Sequence, residues 1–196
     1  MNTNAVDPDD SLGQGWDELV RIWEGTDAPE GCKVEIIEGI VTVASLPSKN
    51  HSLTAALLQR RLYGVIPEDC GVFQRLGLSA PGRQGLFVPD VAVLPRTAVT
   101  GPGYHVPADE ALLVVEITSQ SNANHDRIKK LHGYAGAGVP LYLLLDPWRS
   151  GRPTATLYGE PAGGTYRILD SIEYGEKLTL PAPFDLPIGT AEFPVN

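Results

Sequence analysis

Cysteine is scarce in this sequence: Cys32 and Cys70 are the only two in 196 residues. Two cysteines this far apart exclude a zinc knuckle, which needs closely spaced ligand pairs. We expect both to be buried free thiols in a cytoplasmic protein, because the cytosol keeps thiols reduced.

Long hydrophobic runs and targeting signals are absent as well. No apolar run reaches the roughly 18 residues that a membrane span requires, so we expect no membrane partner. The first residues have neither a basic segment nor an apolar one, which excludes a secretion signal. We expect residues 1–13 to be a disordered acidic leader. No internal repeat or long linker divides the remainder, so residues 14–196 are predicted to form a single domain.

Positive charge is in short supply, with 15 Lys and Arg against 24 Asp and Glu and a net charge of -9. This balance argues against broad, non-specific attachment to nucleic acid, which needs a basic face. It leaves room for a local basic groove. The candidates for such a groove are Arg60, Arg61, Arg75, Arg83, Arg127, Lys129 and Lys130.

Two apolar runs in the middle of the chain each contain one acid. Residues 87–94 and 112–118 are predicted strands that carry Asp90 and Glu116. Burying an ionised acid is costly unless a partner compensates its charge. Two such acids on neighbouring strands therefore predict a shared divalent cation, Mg²⁺ or Mn²⁺. The backbone carbonyl of Ile117 would supply a third ligand.

The remaining pattern predicts an α/β domain with a mixed sheet. Helices are predicted at 16–23, 51–63 and 122–137. Further strands are predicted at 33–44 (a hairpin turning at Glu38-Gly39), 72–79, 141–145, 154–158, 165–169 and 177–180. The strand–helix–strand order over 112–145 predicts a right-handed parallel crossover.

Lys130 lies at the border of the apolar stripe on the third predicted helix. From there its ammonium could reach the two acids, where it would orient a water or stabilise a pentacovalent phosphate. The alternative is an ordinary surface lysine paired with Asp126 four residues earlier, and spacing alone slightly favours this alternative. The predicted stripe consists of Ile128, Leu131 and Ala135.

His51 and Glu35 are two further candidates. His51 begins the helix 51–63, where the helix dipole can tune its ring for catalysis, but a surface or capping role is the more common one for such a residue. Glu35 lies in the first arm of the hairpin 33–44, and its pattern alone indicates a solvent-facing strand residue.

Pro89-Asp90, Glu116 and Lys130 in this order resemble the P-D…(D/E)-x-K nuclease signature. A wider set of segments resembles the Uma-type family of bacterial restriction endonucleases, from Trp16 to the C-terminus. These segments are Glu35…Glu38-Gly39, His51, Pro89-Asp90, Val115-Glu116-Ile117-Thr118-Ser119, Asp126-x-x-x-Lys130-x-x-x-Tyr134 and Gly138-Val139-Pro140-Leu141-Tyr142…Asp146-Pro147. One departure is Thr118, which stands where the superfamily usually has its lysine. Lys130 matches the position to which the Uma-type family moves that lysine.

The resemblance implies a restriction-endonuclease-like core of order αβββαβ, with a central mixed sheet flanked by helices and extra β-hairpins at both ends. It implies that Asp90 and Glu116 bind the metal, with Glu35 adding to its shell. Lys130 would position or deprotonate the attacking water, and His51 would assist at the periphery. The implied activity is that of a metal-dependent endonuclease, with DNA and a second copy of the chain as expected partners.

Two alternatives stay open at this point. The acidic charge is compatible with a non-catalytic homodimeric interaction module that keeps only a vestigial nuclease site. A third possibility retains the metal but replaces DNA by RNA or a small phosphoester.

Overall fold

The computed structural model describes residues 8–120, 123–149 and 151–195. Its helices are α1 (Pro8–Glu24), α2 (Lys49–Leu62) and α3 (Leu131–Ala137), the last preceded by a π-helical segment, His125–Lys130. α1 begins within the stretch expected to be a disordered leader, of which residues 1–7 lie outside the described part. No helix in the described ranges is long and apolar enough to cross a membrane.

Strands fill most of the chain between and after these helices. They are β1 (Lys33–Ile37), β2 (Ile40–Ala44), β3 (Cys70–Phe73), β4 (Gly77–Ala80), β5 (Gly85–Phe87), β6 (Val91–Pro95), β7 (His105–Pro107), β8 (Leu113–Ile117), β9 (Leu141–Asp146), β10 (Thr154–Ala162), β11 (Thr165–Glu173), β12 (Lys177–Leu180) and β13 (Leu186–Gly189).

The described strands form two main sheets and a separate hairpin. One sheet has the order β2-β1-β5-β4-β7 and the other has the order β11-β10-β9-β8-β6-β3, while β12 pairs with β13. β8 and β9 run parallel on either side of the α3 connection, as the predicted parallel crossover requires. β6 runs antiparallel to β8. The predicted α/β class with a mixed sheet is therefore confirmed.

Two strands predicted to be continuous, 72–79 and 87–94, are each broken, and those predictions were wrong. β3 pairs with β6 in one sheet, whereas β4 pairs with β5 in the other. The first break contains Arg75, whose φ is +60°. The second contains Pro89, which lacks the N–H that a continuous ladder would need. One bent hairpin thus joins the two sheets, and Asp90 lies at its bend.

The hairpins predicted near both ends of the domain are present. β1 and β2 turn at Glu38-Gly39, and both residues have positive φ, as a tight two-residue turn requires. β10 and β11 turn at Gly163-Gly164 in the same way.

Apolar residues cover both faces of the six-stranded sheet. Val115 packs in a cluster with Leu58 and Leu62 of α2, and Val114 packs in a second cluster with Tyr134 of α3. Every residue of β8 is buried. Full burial of one such apolar side chain contributes roughly 1.5–3 kcal/mol, so this core holds Glu116 firmly within β8.

Candidate active site

Asp90 lies at the bend between β5 and β6, with its carboxylate directed at β8. Its Oδ2 accepts a hydrogen bond of 2.8 Å from the peptide N–H of Ile117. Its Oδ1 lies 2.9 Å from Nε2 of His51 and also contacts Nζ of Lys33. The carboxylate is buried, so its negative charge depends on these partners.

Glu116 lies beside Asp90 because β6 and β8 are antiparallel, with Val91 opposite Val115. Its side chain is buried, and its Oε1 accepts a hydrogen bond of 2.9 Å from the hydroxyl of Tyr134. The structure thus brings the acids of the two central strands into one cluster.

Lys130 completes this cluster from the neighbouring helical segment. Its Nζ lies 2.8 Å from Oε1 of Glu35, 3.1 Å from Oε1 of Glu116 and 3.2 Å from Oδ1 of Asp126. Its side chain is only 4% exposed. The surface alternative for Lys130 was wrong: the pair with Asp126 exists, but it is buried within the cluster.

The π-helical geometry changes which residues of this segment face inward. Its hydrogen bonds run from i to i+5, so the turn is wider than the α-helical turn assumed in the sequence analysis. Ile128, predicted to be buried, is 56% exposed, and that prediction was wrong. Lys130 instead points into the protein, while Leu131 and Ala135 are buried where the regular α-helix resumes.

Glu35 is buried, so its predicted solvent-facing position was wrong. Its Oε1 accepts a hydrogen bond of 2.7 Å from the peptide N–H of Val88 and contacts Lys130. Val88 belongs to the break between β5 and β6, so Glu35 supplies a partner for an N–H that lies outside the ladder. The same carboxylate therefore holds both the bend and the lysine.

The ring of His51 also faces the cluster rather than the solvent. Ser48, not His51, caps α2, since its Oγ accepts a hydrogen bond of 3.2 Å from the backbone N–H of His51. The imidazole Nε2 contacts Asp90, and Nδ1 is buried without a hydrogen-bond partner among the described residues. His51 thus holds Asp90 from the start of α2.

Sequence reasoning gave no site role to Lys33, Asp126 or Tyr134, yet all three contact the cluster. For each of them, the spacing in the sequence could have indicated a place near the site. Lys33 precedes Glu35 by two residues and therefore shares its face of β1. Asp126 and Tyr134 lie four residues before and after Lys130, where helical neighbours meet.

Comparison with known proteins identifies the family. Residues 16–190 match the model of a family described as "Uma2: Putative restriction endonuclease". The chain belongs to this family. The resemblance inferred from the sequence motifs is thereby confirmed.

The chain also resembles a solved structure. A protein from Anabaena variabilis ATCC 29413, described as "a putative nuclease belonging to DUF820", superposes with a TM-score of 0.66 at 18% sequence identity. The match covers 91% of this chain and 96% of that chain. Identity at this level shows a shared fold. No curated protein matches the sequence.

The cluster contains more acids than bases. The acids are Glu35, Asp90, Glu116 and Asp126, and the lysines are Lys33 and Lys130. Four carboxylates against two ammonium groups leave a formal charge of -2 when His51 is neutral. Such an excess is costly to bury without a compensating cation or bound protons.

The two central acids respond to burial in opposite ways. Burial alone would raise the pKa of Asp90, but the charge of Lys33 and the hydrogen bond from His51 outweigh it and hold that pKa well below its usual range. Burial raises the pKa of Glu116 well above its usual range, and the charge of Lys130 offsets this only in part. Pairs of acids whose pKa values diverge are typical of catalytic sites.

The pKa of Lys130 is raised despite its burial. Burial disfavours the ammonium, yet the charges of Glu116, Glu35 and Asp126 outweigh that effect and raise the pKa of Lys130 well above its usual range. Lys130 therefore stays protonated at neutral pH and acts as a hydrogen-bond donor.

The donor chemistry of the cluster fits a hard divalent cation. Among the described residues, no three His, Cys, Asp or Glu side chains already form a metal-ligand set. Asp90 and Glu116 nonetheless offer carboxylate oxygens, and the formal excess of two negative charges equals the charge of one such cation. The N–H of Ile117 donates to Asp90, and in an extended strand the C=O of a residue points to the same side of the strand as its N–H. A cation held by Asp90 would compete with the ammonium of Lys33, which contacts the same carboxylate.

A small cavity of about 30 Å³ opens beside the cluster, with Leu46 and Pro47 in its lining. It has room for water but not for a nucleotide, so a large substrate must approach from outside. A larger cavity of about 750 Å³, lined by residues such as Trp16 and Arg83, shares no lining residue with the cluster.

Proposed function

We propose that the protein is an endonuclease that depends on Mg²⁺ or Mn²⁺ and hydrolyses phosphodiester bonds in nucleic acid, with DNA as its expected substrate. One observation carries the proposal: Asp90, Glu116 and Lys130 come from three separate elements and meet in one buried cluster. The family description and the nuclease with a similar fold support the same class of reaction.

Asp90 and Glu116 would hold the metal, together with the carbonyl of Ile117. When bound, the cation acts as a Lewis acid toward the phosphoryl oxygens. Lys130 donates hydrogen bonds that orient the attacking water and stabilise the charge of the pentacovalent phosphate. Its raised pKa favours this role over deprotonation of the water. Hydrolysis adds the water across one P–O bond and leaves a phosphate end and a hydroxyl end.

Glu35 and His51 are positioning residues in this proposal. Glu35 fixes Lys130 through a 2.8 Å contact. His51 fixes Asp90 through a 2.9 Å contact. Misplacing either reacting group by a small distance is enough to slow a reaction strongly.

Plasmid cleavage in Mg²⁺ or Mn²⁺ tests the proposal. Asp90→Asn and Lys130→Met should each lower the rate by at least about 100-fold, because each removes a charge that acts on the transition state. The matched controls are Asp109→Asn and Lys129→Met, which lie outside the cluster; Lys129 pairs with Glu38 instead. Circular dichroism verifies that each variant is folded. Equal cleavage by all five proteins would contradict the proposal.

A second candidate is the non-catalytic homodimeric module. It is favoured by the net charge of -9 and by the ion pair of Lys33 with Asp90, which already satisfies a carboxylate oxygen. DNA binding that weakens steeply with salt would support the nuclease. A stable dimer that binds neither DNA nor RNA even at low salt would support the module.

Cys32 and Cys70 are both unpaired, which fits the proposed cytoplasmic location.

A further inference from the structure

A groove of about 400 Å³ adjoins the small cavity of the cluster. We call it the Trp148 groove; its lining includes Leu46, His51, Ser119, Gln120 and Trp148. Leu46, His51 and Ser119 also line the small cavity. The groove therefore lies directly beside the small cavity at Asp90 and Glu116, so a nucleotide bound in it would be a neighbour of the proposed site.

Trp148 is attached to a rigid support at the end of β9. Oδ1 of the buried Asp146 accepts a hydrogen bond of 3.2 Å from the backbone N–H of Trp148. The same carboxylate accepts 2.7 Å hydrogen bonds from Thr118, which directly follows β8, and from Nε of Arg127. Arg127 donates a second hydrogen bond of 2.9 Å to Asp146 through Nη2, so this ion pair is bidentate. The backbone of Trp148 is thus connected to both strands that flank the site.

The groove presents apolar surface to the solvent. Trp148 is 37% exposed and Leu46 is 62% exposed, although both are large apolar residues. An exposed indole beside a proposed phosphodiester site matches the chemistry of a nucleotide, because any base can stack on an aromatic ring.

We propose that the Trp148 groove binds an unpaired nucleobase next to the phosphodiester that is cleaved, so that the preferred substrate is single-stranded nucleic acid or a duplex with an unpaired segment. This inference rests on the proposed nuclease function. Bases inside an intact duplex are stacked on each other and cannot stack on Trp148 without leaving the helix. The groove thereby selects substrates by strandedness rather than by base-edge contacts.

Binding without cleavage provides the test. Fluorescence anisotropy in EDTA and low salt would compare a labelled oligothymidine with a blunt duplex of equal length. The wild type should bind the oligothymidine more tightly, and Trp148→Ala should weaken that binding by at least about tenfold, the range expected for a lost base stack. Trp148→Phe keeps an aromatic face and should stay within about threefold of the wild type. Trp16→Ala is the control, since Trp16 lines the separate 750 Å³ cavity.

Unchanged oligothymidine affinity in Trp148→Ala, or tighter binding of the blunt duplex by the wild type, would overturn the inference. Its failure is distinguishable from failure of the nuclease proposal. If metal-dependent cleavage requires Asp90 but is unaffected by Trp148→Ala, only the assignment of the groove is wrong. If Trp148→Ala loses oligothymidine binding and the wild type cleaves nothing under any metal condition, the groove assignment stands and the nuclease proposal is wrong.

Discussion

The ammonium of Lys33 contacts Oδ1 of Asp90, the same carboxylate oxygen that lies 2.9 Å from Nε2 of His51. The Lys33 side chain is 15% exposed, so its charge is largely removed from water. A positive charge of the protein thus lies on a carboxylate that the proposed metal would use. Lys33 and a cation would compete for the same electrostatic partner.

Lys33→Met should therefore strengthen metal binding. The substitution keeps an unbranched apolar side chain and removes its charge, so we expect Mn²⁺ affinity to rise by about tenfold, or roughly 1.4 kcal/mol. Isothermal titration calorimetry at neutral pH and low salt measures this change. Lys129→Met, which removes a charge outside the cluster, should leave the affinity unchanged. Unaltered or weaker binding in Lys33→Met would mean that the ammonium does not compete with the cation.

The raised pKa of Glu116 predicts a pH-dependent penalty on folding. As pH rises above the ordinary pKa of a glutamic acid, the unfolded chain releases this proton while the folded protein retains it, so stability falls with pH until the folded pKa is passed. Glu116→Gln cannot release the proton. The difference between its melting temperature and that of the wild type should therefore grow as the pH rises from about 5 into the neutral range.

Thermal melts of both proteins across this range check the prediction. Glu192→Gln serves as the control, because Glu192 pairs with Arg61 at the surface. A difference in melting temperature that is independent of pH would show that burial imposes no such penalty on Glu116.

Glu35 and Lys130 should be strongly coupled in stability. Removing either charge alone leaves a buried partner less compensated, which typically costs about 3–5 kcal/mol. The double variant Glu35→Gln/Lys130→Met should lose less than the sum of the single variants, with a coupling energy of at least about 1 kcal/mol. Urea unfolding of the four proteins at neutral pH provides the free energies. Additive effects would show that the 2.8 Å contact contributes little.

Several features of the fold could be predicted from the sequence because short segments determine them. The apolar runs of β8 and β9 and the Gly-containing turns of the two hairpins each depend on neighbouring residues. The approach of Asp90 to Glu116 followed from pairing two such strands.

Other features of the site could not be read from local patterns. The strands are broken around Arg75 and Pro89 because the two ends of the bent hairpin belong to different sheets: β3 pairs with β6 in one sheet and β4 pairs with β5 in the other. The inward turn of Lys130 depends on a π-helical segment, which α-helical spacing does not anticipate.

The sequence by itself determined the class of fold, its central strands and the proximity of Asp90 to Glu116, because hydrophobic periodicity and turn residues act over short distances. Only the tertiary structure decided that Glu35 is buried, that His51 faces Asp90 and that Lys33 joins the same cluster. The physical reason is that the cost of burying a charge depends on the groups around it, and here those groups come from segments far apart in the chain.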